Sequence, residues 1–314
     1  MSNEIIEAFL GDSREFLDTT YERRPLIRSV RHLEAVARII SLEMVDELIT
    51  GRWLTRPTAR VVSKGRGLPV EAYTDVLDDG TRLVNPALVL EHLKKGASFV
   101  LNQVERHVRA VHDVCAVLED YFTAPVNATL FVTAPDSAGL RAHFDGQHLF
   151  VLQVGGLKEW CLWEPPHPDP ADSRVVPEDS LGEPLLQFAL EPGDLLYLPR
   201  GYVHRAHTTS MFSAHITFLV ERVTWQDAIV AECRRLLDRP EFRASLPPGY
   251  AVDPPDSDRL DLLQSAARQA LLTLDVAAAL ERSADNEYWK RPMSPRGAFL
   301  NWIGAVHDDA PYPC

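Results

Sequence analysis

The stretch that decides the fold runs from His143 to Trp163, HFDGQHLFVLQVGGLKEWCLW. It has the short apolar runs and glycine breaks of β-structure. It also carries a histidine, a carboxylate two residues on, and a lysine fifteen residues after the histidine. Residues two apart on a strand point to the same side of a sheet. His143 and Asp145 would therefore present an imidazole and a carboxylate together, with Phe144 facing away.

The surrounding sequence extends this texture. From Val126 onward, short β-rich runs are separated by Gly, Pro and Asp: NATLFVTA, HLFVLQV, KEWCLW, PLLQFAL, DLLYLP, VHRAHT and SAHITFLV. Seven or more short strands without intervening helices predict a jelly-roll or cupin-type double sheet. The Pro- and Asp-rich segment EPPHPDPADSRVVPEDSLGEP reads as a surface loop, with His167 exposed in it.

Helical patterns flank this core. Residues 1–125 read as mostly helical. Ser41 caps SLEMVDELIT, and NPALVLEHLKKG has Asn85 as cap, Pro86 at the first helical position and Gly96 as stop. Val104, Val108, Val111, Cys115 and Leu118 form one apolar face, which leaves His107 and His112 on the surface. Helix returns at TWQDAIVAECRRLLD, capped by Thr224, and again in RLDLLQSAARQALLTLDVAAALER. The expected division is residues 1–125 as a helical N-terminal part, 126–222 as the β-core, and 223–314 as a helical C-terminal region.

The 314 residues are 46% hydrophobic and 25% charged, ordinary for a soluble globular chain. No run approaches the roughly 18 apolar residues of a membrane span. The start, MSNEIIEAFLGDSREF, lacks the basic and apolar regions of a signal peptide. Cys115, Cys161, Cys233 and Cys314 are far apart and fit free thiols in a reducing compartment, so a cytoplasmic location is expected. The formal charge of −13 disfavours nucleic acid, which needs a basic footprint. It tolerates a basic protein partner, and it also serves solubility alone.

EPGDLLYLPRGYVH supplies a third polar candidate, His204, where the chain returns to the barrel after a strand. Two histidines and one carboxylate with the other positions open form the facial triad of non-haem Fe(II) oxygenases. An isolated H-x-D is weak, and so is a lone PGD turn followed by a histidine. In this order and on matching strands they predict a metal centre at His143, Asp145 and His204.

At AHFDGQHLFVLQVGGLKEWCLW and LEPGDLLYLPRGYVHRAHTT, and more weakly at REFLDTTYERRPLI, the sequence resembles the cupin-like JmjC oxygenases, and within them the ribosomal-oxygenase group. The resemblance covers residues from about 9 to about 225. It implies a double-stranded β-helix holding Fe(II) through His143, Asp145 and His204, with 2-oxoglutarate as co-substrate and O₂ as oxidant. It implies that Lys158 pairs with the distal carboxylate of 2-oxoglutarate, helped by the Thr217 hydroxyl. The alternative for Lys158 is a solvent-facing strand end, with Trp160 and Trp163 only packing. His215 shares the face of Thr217 and reads as a structural histidine near the site.

Two positions depart from the family pattern. Phe131 stands where several relatives carry a tyrosine that bonds the co-substrate, and Thr129 where some carry asparagine. The final stretch, NEYWKRPMSPRGAFLNWIGAVHDDAPYPC, is scarcely enough for the family's winged-helix domain, so a ribosomal-protein substrate is not carried over.

The expectation is a mainly β core with flanking helices, acting as an Fe(II)- and 2-oxoglutarate-dependent dioxygenase. It would hydroxylate an unactivated carbon of a side chain in a protein or peptide. Hydroxylation of a free amino acid or natural product is an alternative. N-methyl-lysine demethylation ranks below it, and a non-catalytic cupin used for binding is a different class. The resemblance also implies a homodimer built by the helices after the barrel, where Trp225, Ala228, Ile229, Leu236 and Leu237 form a broad apolar set.

Overall fold

The computed structural model describes residues 2–285, apart from 32–38, 40, 52, 56, 57, 138, 168, 210, 247 and 250–256. The described strands before residue 126 are β1 (Leu26–Ser29), β2 (Ala59–Ser63), β3 (Arg66–Gly67), β4 (Thr74–Val76), β5 (Arg82–Val84) and β6 (Ser98–Asn102). Those after it begin with β7 (Val126–Thr133), β8 (His143–Phe144), β9 (His148–Gly156), β10 (Lys158–Trp163) and β11 (Arg174–Val175). The series closes with β12 (Leu186–Leu190), β13 (Asp194–Leu198), β14 (Val203–His207) and β15 (Ser213–Val220).

Two sheets face each other. The larger has the order β1-β13-β9-β15-β7-β6-β2-β3, and the smaller β11-β8-β14-β10-β12. From β7 onward the chain passes back and forth between them. Four strands of each sheet, β13-β9-β15-β7 and β8-β14-β10-β12, make a double-stranded β-helix. All seven strands expected from the sequence are present.

Side-chain alternation gives the larger sheet two different faces. Leu130, Phe150, Leu152, Ile216 and Phe218 point outward and are covered by the N-terminal helices. Phe9, from the helix Ser2–Leu10, sits with ring centroids 5.6 Å from Phe150 and 5.3 Å from Phe218. The opposite face sends Leu149, Val151, Leu196 and Leu198 inward, against Trp160 and Leu162 of the smaller sheet. β9 is buried on both faces, which explains its near-continuous apolar run.

The N-terminal part is less helical than its sequence suggests. Helices Ser2–Leu10, Ser13–Thr19, Leu42–Thr50, Pro86–Lys94 and Arg109–Phe122 are there. Yet β1, β2, β3 and β6 join the larger sheet, so a division at residue 125 cuts through one sheet. The reason is local: SFVLN and ARVVS are short apolar runs, and such runs do not separate strand from helix by periodicity. The caps follow expectation. The Ser41 hydroxyl accepts from the Met44 amide, and the Asn85 side chain accepts from Ala87 and Leu88. Val111, Cys115 and Leu118 are buried while His107 is exposed.

After the barrel, Thr224 and Asp227 form a reciprocal capping box at the helix Trp225–Leu236. The second helical pattern is broken in two, Ser257–Leu271 and Val276–Asp285. Thr273 Oγ1 donates to the Ala270 carbonyl, and the Asp275 carboxylate accepts from the Ala277 and Ala278 amides, which ends one helix and caps the next. The stretch weighed as a winged-helix remnant, residues 286–314, lies outside the described residues. Among the described residues no helix is long and apolar enough to cross a membrane. Cys161 and Cys233 are free thiols.

Candidate active site

β8 and β14 are neighbours in the smaller sheet, and His143 stands directly opposite His204 in their register. Asp145 lies just past the end of β8 rather than on it, because the chain turns at Gly146. A Cβ there would sit 3.0 Å from the Ala171 carbonyl oxygen, closer than most side chains tolerate. The carboxylate still reaches both rings: Asp145 Oδ2 is 3.6 Å from Nε2 of His143 and 3.6 Å from Nε2 of His204. One ligand atom from each residue lies within 4.8 Å of the other two.

The far side of each imidazole fixes which nitrogen is free. His143 Nδ1 donates to the Arg141 carbonyl at 2.8 Å, and His204 Nδ1 donates to the Tyr202 carbonyl at 3.1 Å. A carbonyl only accepts, so Nδ1 carries a proton in each ring, and Nε2 is the nitrogen that faces the carboxylate. Burial first, and then His143, hold His204 down to about 4, so its ring is neutral at physiological pH.

Behind this group is a cavity of about 200 Å³ between the sheets. His143, Asp145 and His204 line it, as do Lys158, Thr217, Thr129 and Phe131. All seven residues singled out in the sequence thus meet in one place. Thr129 and Thr217 are cross-strand partners on β7 and β15. Lys158 is 3% exposed, which removes the solvent-facing alternative. Its Nζ donates to Thr133 Oγ1 at 3.0 Å, and Ser98 Oγ donates to the same oxygen at 3.1 Å. Burial pulls the lysine down to about 8.

Sequence reasoning missed Thr133, Ser98 and Arg60, which also line the cavity. Thr133 had a signal, since it lies on the same face of β7 as Thr129 and Phe131. Ser98 and Arg60 belong to β6 and β2, in the region read as helical. His215 is a wall of the cavity, stacked on Phe131 with centroids 4.9 Å apart and an interplanar angle of 8°. Burial, and then Lys158, keep it well below the usual imidazole range.

The residues present fit a divalent metal and a small dicarboxylate. Two imidazoles and a carboxylate are the donor set of non-haem iron. A buried ammonium whose described partner is a neutral hydroxyl calls for an anion. Among the described residues, His215 Nδ1 and Trp160 Nε1 are buried in the same wall without hydrogen-bond partners, as expected of a pocket shaped for a polar guest.

Fold and site together define a double-stranded β-helix with a two-histidine, one-carboxylate group at one end of its cavity. Residues 101–228 match the family described as the JmjC domain. It is 30% identical over 215 residues to the bifunctional lysine-specific demethylase and histidyl-hydroxylase NO66 of Drosophila erecta, covering 66% of this chain and 31% of that protein. The NO66 protein of Aedes aegypti is 27% identical over 221 residues, covering 68% of this chain and 34% of its own length. The chain thus spans about a third of the length of these curated relatives. Among solved structures, Escherichia coli ycfD superposes with a TM-score of 0.50 at 19% identity, over 84% of this chain and 69% of that one. The structure of the ribosomal oxygenase YcfD with cobalt and 2-oxoglutarate gives 0.51 at 18% identity, over 84% and 68%. These structural matches establish the shared fold.

Proposed function

We propose that the protein is an Fe(II)- and 2-oxoglutarate-dependent oxygenase that hydroxylates an unactivated carbon of a side chain in a protein or peptide. One observation carries this reading: a two-histidine, one-carboxylate group with both Nε2 atoms turned toward the carboxylate shares its cavity with a buried lysine that has no carboxylate partner among the described residues. The names of the similar proteins, histidyl-hydroxylase and ribosomal oxygenase, point the same way.

In this reading His143, Asp145 and His204 hold the iron. When bound, iron and 2-oxoglutarate supply an oxidant from O₂, with 2-oxoglutarate leaving as succinate and CO₂ and one oxygen atom entering a substrate C–H bond. Lys158 fixes the distal carboxylate of the co-substrate as a point charge, with the Thr217 and Thr133 hydroxyls beside it. Thr129 and Phe131 form the adjoining wall. The inward side chains Leu149, Val151 and Trp160 exclude water, which strengthens the Lys158 contact. The Arg141 and Tyr202 carbonyls keep the two histidines in the ligating tautomer.

The helices beyond residue 222 are read as an assembly region that makes a homodimer. Trp225 (65%) and Leu262 (70%) are exposed on them and Leu272 (84%) in the turn just after the helix Ser257–Leu271, an apolar surface that a second copy would cover. Free thiols suit a cytoplasmic location, and the charge of −13 argues against nucleic acid as a partner.

The test is intact-mass analysis of candidate peptides and amino acids incubated with protein, iron, 2-oxoglutarate and O₂. A gain of one oxygen on a peptide supports the reading. The same gain on free amino acids alone moves the substrate class. A second reading follows from the relatives' bifunctional name: loss of a methyl group from an N-methyl-lysine peptide would make the enzyme a demethylase.

A further inference from the structure

The turn that delivers His204 is held by a strap from the N-terminal part of the chain. Between β13 and β14 the turn Pro199–Tyr202 makes two contacts with the candidate ligands. The Gly201 amide donates to the Asp145 carbonyl at 2.8 Å, and the Tyr202 carbonyl accepts from His204 Nδ1. Gly201 has φ +87°, and a Cβ on it would come within 2.8 Å of Pro170, so the turn is wedged against the loop after β10.

On its other side the turn meets residues 21–23. Tyr202 Oη donates to the Arg23 carbonyl at 2.9 Å. Arg200, whose side chain is 12% exposed, places Nη2 at 3.2 Å from Glu22 Oε1 and at 2.9 Å from Asp169 Oδ1. Glu22 is held in turn by a closed ring of contacts. Its amide donates to Tyr197 Oη at 3.1 Å, which leaves the phenol proton for His148 Nδ1, also at 3.1 Å. That leaves Nε2–H of His148 facing Glu22 Oε1, 3.6 Å away. His148 first, and Arg200 as well, hold the Glu22 carboxyl below its usual range. Glu22 sits at φ +58°, a conformation that a non-glycine residue keeps only where its surroundings over-determine it.

We infer that Arg200, clamped by Glu22, is a positioning residue for the metal centre: it locks the turn whose backbone aims Asp145 and His204. Asp169 is 78% exposed against 46% for Glu22, so solvent screens its contribution to the clamp more strongly. Nothing in the hydroxylase chemistry requires an Arg–Glu pair here. This inference rests on the metal reading above, and it adds residues that touch neither metal nor co-substrate.

The experiment is a Co(II) titration of the full chain, followed by visible absorption and paired with thermal melting of the metal-free protein. Glu22→Gln preserves shape and removes the charge, and Arg200→Met removes the fork. Each should weaken Co(II) binding about ten- to hundredfold, the usual range for groups that orient ligands, and should alter the Co(II) spectrum. Arg200→Lys should recover part of the affinity, and Asp169→Asn should bind as the parent does. Equal affinity and spectra in parent, Glu22→Gln and Arg200→Met would overturn the inference, including the case where only their melting temperatures fall. A parent that binds no Co(II) would overturn the metal reading and this inference with it. Loss confined to the two clamp variants would leave the metal reading standing and support the clamp.

Discussion

Lys158 Nζ donates to Thr133 Oγ1 across 3.0 Å, and among the described residues no carboxylate accompanies this buried ammonium. A charge in that position is stable only if something anionic arrives or if it gives up its proton. Both consequences are measurable.

Replacing Lys158 by Ala should raise the KM for 2-oxoglutarate roughly ten- to hundredfold, since a charge-assisted hydrogen bond is worth about 1.5–3 kcal/mol. Lys158→Arg should recover part of this, limited by the bulk of the guanidinium. Steady-state kinetics with co-substrate as the variable would settle it, and an unchanged KM in the alanine variant would return Lys158 to a packing role.

The same lysine gives opposite pH dependences for stability and for binding. Burial lowers it from 10.5 to about 8 in the folded, ligand-free protein. Between those values the unfolded chain holds a proton that the folded chain has lost, so stability rises with pH across the window. Anion binding needs the ammonium, so 2-oxoglutarate affinity should fall above about pH 8. Denaturant melts of the parent and of Lys158→Met, compared from pH 7 to 10.5, isolate this group from the tyrosines. A flat difference between the two would show that the lysine is not desolvated.

Phe131 packs flat on His215 and offers no donor to the cavity. Phe131→Tyr should tighten 2-oxoglutarate binding if the new hydroxyl finds the carboxylate, read by calorimetric titration. A loss of stability without tighter binding would mean that the phenol is buried unpartnered, and that position 131 does not serve the co-substrate.

Two exposed leucines, one on the helix Ser257–Leu271 and one in the turn just after it, set the expectation for assembly. With Leu262 at 70% and Leu272 at 84% exposure, light scattering should give a mass near twice 35.2 kDa. Leu262→Glu together with Leu272→Glu should shift it toward the monomer. A parent that is monomeric at micromolar concentration would leave these leucines solvated and the iron site unaffected.

Much of this was legible in the chain because the site is built from local pattern. His143 and Asp145 are neighbours in sequence, and the alternation of β7, β9, β10 and β15 fixes which side chains face inward. What was not legible depends on long-range pairing. β2 and β6 look like helix-compatible apolar runs until β7 recruits them at a sheet edge, so Arg60 and Ser98 gave no warning. Glu22 and Arg200 lie 178 positions apart in the numbering, and nothing in either segment alone announces the clamp between them. Thr133 was within reach, two residues from Phe131 and four from Thr129 on one strand, and so on the same face.

The most direct measurement of the proposed chemistry is succinate release from 2-oxoglutarate by purified protein supplied with Fe(II) under air. Uncoupled turnover needs no knowledge of the physiological substrate. The parent should form succinate in an iron- and O₂-dependent manner. His143→Ala and Asp145→Ala should lose both that activity and metal binding while keeping the parent's far-UV circular dichroism. Full succinate production by His143→Ala, or none by an iron-loaded parent that binds 2-oxoglutarate, would contradict the assignment of this cavity as an oxygenase site.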